Sequence, residues 1–116
     1  MAVPGKPIAW LEGSVKSPPF SKEARIEAGV LLRQLQNGLK LGLPHSRPMP
    51  SIGSGCHELR IQDAQKIWRI VDRIKPDAIV ILDVFDKKTA KTSKNVIANC
   101  KERLSRYEAI AGPEKR

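Results

Sequence analysis

With 116 residues the chain has the size of one small domain, and a hydrophobic share of 41% supports one aliphatic core but not two. Lys and Arg number 21 against 12 Asp and Glu, so the formal charge is 21 − 12 = +9, a balance that draws nucleic acid, an acidic protein or an anionic membrane surface. No apolar stretch approaches the ~20 residues of a membrane span, the first ten residues lack the apolar core of a signal peptide, and aromatics at 4% are too few for a base-stacking platform.

In chain order, Lys6–Leu11 (KPIAWL) is a short apolar run that predicts a first strand. Pro18 and Pro19 interrupt regular structure after it. Ser21 then has the chemistry of a helix N-cap, with Glu23 in the positive first turn. Ala24, Ala28, Leu31, Leu32, Leu35 and Leu39 recur at helical spacing, and Gly38 is a stop. Gly29 inside this run leaves two forms open, one amphipathic helix or a helical hairpin. Gly42–Gly55, with three prolines and three glycines, predicts a long loop. His57–Gln62, Lys66–Ile74 and Asp77–Phe85 alternate and are rich in β-branched residues, which predicts an antiparallel meander. A final helix follows, capped by Thr92 or Ser93, with Val96, Cys100, Leu104 and Tyr107 on its apolar face. Cys56 and Cys100 stand in no CxxC or zinc-type spacing and are expected to be reduced thiols of a cytoplasmic protein.

A hairpin turning at Asp63–Lys66 sets Gln62 opposite Ile67, Arg60 opposite Arg69 and Glu58 opposite Val71. Residues two apart share a face, so Leu59, Ile61, Trp68 and Ile70 form a core side. Glu58, Arg60, Gln62, Arg69 and Arg73 lie on the other. Like charges directly opposed cost a few tenths of a kcal/mol or more, a cost best borne where an anion sits. The third strand turns either Val80, Leu82 and Val84 or Ile79, Ile81 and Phe85 to the core; the first choice puts Asp83 beside the arginines. Lys87, Lys88, Lys91 and Lys94 follow where the sheet stops. Together these residues predict a cationic, concave sheet face that binds phosphate.

The segments LLRQLQNGLKLGLPHSRPMPSIGSGCHELRIQD, WRIV and VFDKKTAKT, with a W–EG element before them, resemble the phage-derived Gp49-like group of the RelE/ParE toxin superfamily, which includes HigB-type toxins. The likeness spans roughly residues 8–107. It implies one RelE/HigB-like α+β domain over residues 1–116, ordered over about 6–108. In that fold an N-terminal strand and a three-strand antiparallel meander pack on an N-terminal helix or hairpin and a C-terminal helix. It also implies a type II toxin that cleaves mRNA, often at the ribosome. The partner implied is a helix-turn-helix antitoxin encoded by an adjacent gene, with the free toxin a monomer and the neutralised form a heteromer.

Carried onto this chain, the resemblance assigns Arg60, Arg69, Lys87 and Lys88 to the scissile phosphate. Cleavage by the RNA's own 2′-OH needs alignment, a base, charge stabilisation and a proton for the 5′-oxygen. A base must titrate near neutrality, which points to Lys88, with cationic neighbours, or to His57; Gln62 stands where some relatives carry a lysine and cannot serve. Arg47, Arg73, Lys91 and Lys94 are expected on the RNA backbone. No metal-ligand cluster appears, and no cofactor or metal is expected. Two other functions fit the same residues: a ParE-like toxin acting on DNA gyrase, and a catalytically silent phage-derived nucleic-acid-binding protein.

Overall fold

A computed structural model describes residues 5–11, 20–64, 66–86 and 92–111. Five strands and two helices occupy them: β1 (Ile8–Trp10), α1 (Lys22–Gln36), β2 (Ser46–Pro48), β3 (Cys56–Asp63), β4 (Lys66–Ile74), β5 (Ile79–Asp86) and α2 (Lys94–Ala111). They form one mixed sheet in the order β1-β5-β4-β3-β2. The α+β class is as expected, but the sheet is not wholly antiparallel, because β1 runs parallel to β5. A strand followed by a helix on one sheet face can return in parallel, as a tight hairpin cannot.

The hairpin forms as its alternation dictates. Arg60 pairs with Arg69, Gln62 with Ile67 and Glu58 with Val71. Ala64 takes a positive φ of 53° in the turn. The Asp63 carboxylate accepts from the Ser21 amide at 2.9 Å and the Trp68 indole at 2.8 Å, so one side chain ties the turn to the start of α1. Phe20 stacks on Trp68 with ring centroids 4.5 Å apart.

α1 is a single helix, not a hairpin. Ser21 Oγ accepts from Ala24 N at 3.1 Å, and the buried stripe is Ala24, Ala28, Leu31, Leu32 and Leu35. Gly29 faces open space and does not interrupt it. The stop is a Schellman turn: Gly38 N donates to Leu35 O and Leu39 N to Gln34 O, both at 3.0 Å, with Gly38 at φ 86°. Leu39 therefore falls past the helix and is exposed, contrary to its place in the periodic stripe.

Both faces of the sheet are covered. α1 packs on Leu59, Ile61, Trp68, Ile70, Ile79 and Ile81. α2 brings Cys100 and Leu104 onto Cys56, Val71, Val80 and Leu82 of the opposite face. The choice left open for β5 resolves as both, since the strand is central and buried on each side. A bulge between Val71 and Asp72 lets Val84, opposite Ile70, rejoin the α1 side, while Asp83 pairs with Val71 on the other. The Gly42–Gly55 loop also contains β2, an edge strand paired to β3 through Ser46–Leu59, Arg47–Glu58 and Pro48–His57. Among the described residues no helix is long and apolar enough to cross a membrane.

Candidate nucleic-acid interface

Two neighbouring rungs of the sheet carry the site. Arg47, Glu58 and Val71 lie side by side on β2, β3 and β4. Two residues along, Arg60, Arg69 and Phe85 line up on β3, β4 and β5. All six point to the α2 side, because positions two apart in a strand share a face.

Glu58 is the centre of this arrangement and is 0% exposed. Its Oε1 accepts from Arg69 Nη1 at 2.9 Å and lies 3.6 Å from Arg47 Nη2. Its Oε2 accepts from the Thr92 hydroxyl at 2.8 Å. Arg69 and Arg47 flank the carboxylate and Arg60 lies near enough to Arg69 to repel it, so these four charges sum to 3 − 1 = +2. Burial draws the Arg69 guanidinium below its usual value; Glu58 opposes that, while Arg60 and Arg47 add to it. Arg60 Nε and Arg69 Nε are buried donors without a hydrogen-bond partner among the described residues.

The two arginines expected in an open hollow differ in burial. Arg60 is half-exposed, and Arg47 keeps 35% of its side-chain surface. Arg69 is 2% exposed. It sits on the middle strand, and Glu58 supplies the counter-charge that allows a guanidinium there. Arg73 is at the far end of β4, opposite Cys56, where it bonds the Ile74 carbonyl, so it does not join the cluster. Lys94 is exposed in the first turn of α2. Lys87, Lys88 and Lys91 lie outside the described residues, in the stretch between Asp86 and Thr92.

His57 is on the wrong side to act with the arginines. It is in phase with Leu59 and Ile61, and its Nδ1 lies 3.9 Å from Asp72 Oδ1 on the α1 face. Asp72 is fully buried with neither oxygen hydrogen-bonded among the described residues, and burial pushes its carboxyl well above the usual carboxylate range. The thiols are not nucleophiles at neutral pH either, since burial pushes Cys56 up to about 11 and Cys100 to about 12.

Two members of the site do not stand out in the sequence. Thr92 is there one of two candidate caps, but Ser93 takes that part, its Oγ accepting from Val96 N at 3.2 Å, which leaves Thr92 for Glu58. Arg47 is expected on RNA but from a loop, and only β2 explains how it reaches Glu58. Its signal is the Ser-Arg-Pro step, too short for alternation to show.

No curated protein matches the chain. The family model described as phage derived protein Gp49-like matches residues 19–105, which include every described member of the arginine cluster. The chain therefore belongs to the Gp49-like family, a family of RelE/HigB-type toxins.

Proposed function

We propose that the protein is the toxin of a type II toxin–antitoxin system, a single RelE-like domain that cuts mRNA at the ribosome in the cytoplasm. The observation that carries this reading is the +2 arginine cluster around Glu58, with its outer members Arg47 and Arg60 reaching solvent. Guanidinium forks match phosphate oxygens bidentately and hold charge that is fixed before the reaction begins.

In this reading Arg60 and Arg47 grip the scissile phosphate and stabilise the phosphorane. Arg69, held by Glu58, is a positioning residue behind them. The 2′-oxygen attacks phosphorus, its proton passes to a base, and the P–O5′ bond breaks as the 5′-oxygen takes a proton. The products are a 2′,3′-cyclic phosphate and a 5′-OH. Lys88 is the base, Lys87 and Lys91 join the phosphate grip, and Lys94 follows the RNA backbone. Family membership implies an antitoxin partner, here a helix-turn-helix protein from the adjacent gene that masks this face.

The burial of Arg69 against Glu58 favours a second reading, in which the face binds without cutting and the protein acts as a ParE-like toxin on gyrase. Induction of wild type and Arg60→Ala, with mapping of mRNA 5′ ends, separates the two. New 5′ ends and growth arrest for wild type alone support the ribonuclease. Arrest with intact mRNA and broken or relaxed DNA supports gyrase.

A further inference from the structure

We infer that His45 is a further catalytic residue of this face, the acid that protonates the leaving 5′-oxygen. The inference rests on the ribonuclease reading above, which names a phosphate grip and a base but no source for that proton.

His45 immediately precedes β2 and extends its ladder by one rung. The register pairs Arg47 with Glu58 and Ser46 with Leu59, so the next rung sets His45 opposite Arg60. The His45 carbonyl accepts from Arg60 N at 2.8 Å, and the His45 amide donates to Gly42 O at 3.1 Å. Positions two apart share a face, which puts His45 in phase with Arg47 on the side of the arginines. His57, in contrast, lies on the opposite side beside Asp72. A cleft of about 260 Å³ opens just ahead of β2, lined by Glu27 of α1, Pro44, His45, Arg60, Gln62 and Ile67.

Two of the groups that meet in this cleft are uncommitted. Among the described residues neither the His45 ring nor the Arg60 guanidinium is held by a hydrogen bond or an ion pair, and Arg60 Nε is a buried donor without a partner. Their neighbours are occupied: Arg69 donates to Glu58, and Gln62 Nε2 donates to the carbonyls of Ala64 and Lys66. The His45 backbone is thus fixed at both its amide and its carbonyl, while the exposed ring is left to meet a ligand. Such placement is what a proton transfer timed to bond cleavage requires.

An arginine on a phosphate oxygen stabilises charge but gives up no proton. Of the side-chain types lining the cleft, histidine is the one that both holds and releases a proton near neutral pH. As the P–O5′ bond breaks, its electron pair takes the proton from an imidazolium nitrogen and becomes the O–H bond of the product. The neutral ring then regains a proton from water.

The test uses ribosomes programmed with a short synthetic mRNA whose cleaved linkage, located by 5′-end mapping, carries either oxygen or sulfur at the bridging 5′ position. A thiolate leaves without being protonated, so sulfur removes the need for the acid and for nothing else. The full chain is compared as wild type, His45→Gln and Arg60→Ala, and the Kd for a labelled single-stranded RNA is read for each. His45→Gln should cut the oxygen substrate about 100-fold more slowly or worse, as loss of a general acid does. It should match wild type on the sulfur substrate, with RNA affinity unchanged. That recovery also shows the variant to be folded. Arg60→Ala, which lacks a charge and not a proton donor, should stay slow on both. Wild-type cleavage of the oxygen substrate by His45→Gln, equal losses on both substrates, or recovery of Arg60→Ala by sulfur overturns the assignment and leaves the ribonuclease standing. A wild type that cuts neither substrate overturns the ribonuclease reading, and the assignment with it.

Discussion

Arg60 and Arg69 face each other across one rung, yet removing them should have unlike consequences. Arg69→Ala strips the counter-ion from a fully buried glutamate and should cost about 3–5 kcal/mol in chemical denaturation. Arg60→Ala acts at a half-exposed position and should hold stability to within about 1 kcal/mol. A loss of toxicity in the first variant would therefore report folding, and in the second would report RNA contact. On the other face, burial raises the Asp72 carboxyl well above the ordinary value of 3.8 near which the unfolded chain releases its proton. The native state then binds more protons above that value, so stability falls as pH rises from about 3.8 toward the raised native pKa. Asp72→Asn removes this loss: it should raise Tm at pH 7, with the gain vanishing as the pH falls to about 3.8. Both Asp72 and its neighbour His57 were legible through phase. Asp72 is in step with Ile70 and Ile74, and His57 with Leu59, so alternation alone puts them under α1 and away from the arginines. What alternation does not reveal is the depth of burial, which comes from the two helices and made Arg69 a core residue.

Within single elements, α1 offers one kind of substitution with two signs. Gly29→Ala adds a methyl to an exposed helical site that meets nothing within 4 Å. It should stabilise by about 0.5–1 kcal/mol. Gly38→Ala forces an L-residue to a φ of 86° and should cost about 1–2 kcal/mol. Urea titration of both variants checks the pair. The start and stop of α1 were readable because each is a local hydrogen-bond problem solved by Ser21 and Gly38. The β3–β4 register was readable because one short turn sets it. β2 was not, since three residues containing a proline show no period. The parallel pairing of β1 with β5 was not either, because it joins segments some seventy positions apart and leaves no local trace.

At the scale of the whole molecule, the net charge of +9 should make RNA binding strongly salt-dependent. Each phosphate contact on a single strand adds about 0.7 to the slope of log K against log salt. Arg60→Ala should lower that slope by about 0.7, measured by anisotropy across a salt series, whereas Arg73→Ala, four residues along β4 from Arg69, should leave it unchanged.

The sheet ends on both sides in strands of three residues, and the outer one beside β3 includes Pro48. A visiting extended peptide gains affinity by zipping onto a long free margin of amides and carbonyls. Here β1 covers only Ile79–Ile81 of β5, and on the margin beyond it Arg103 Nη1 donates to Leu82 O at 2.9 Å and Val84 N donates to Asp83 Oδ1 at 2.8 Å, so side chains already hold groups that a visiting strand would need. A protein that neutralises this one through its charged surface would then rely on electrostatics and shape more than on strand addition.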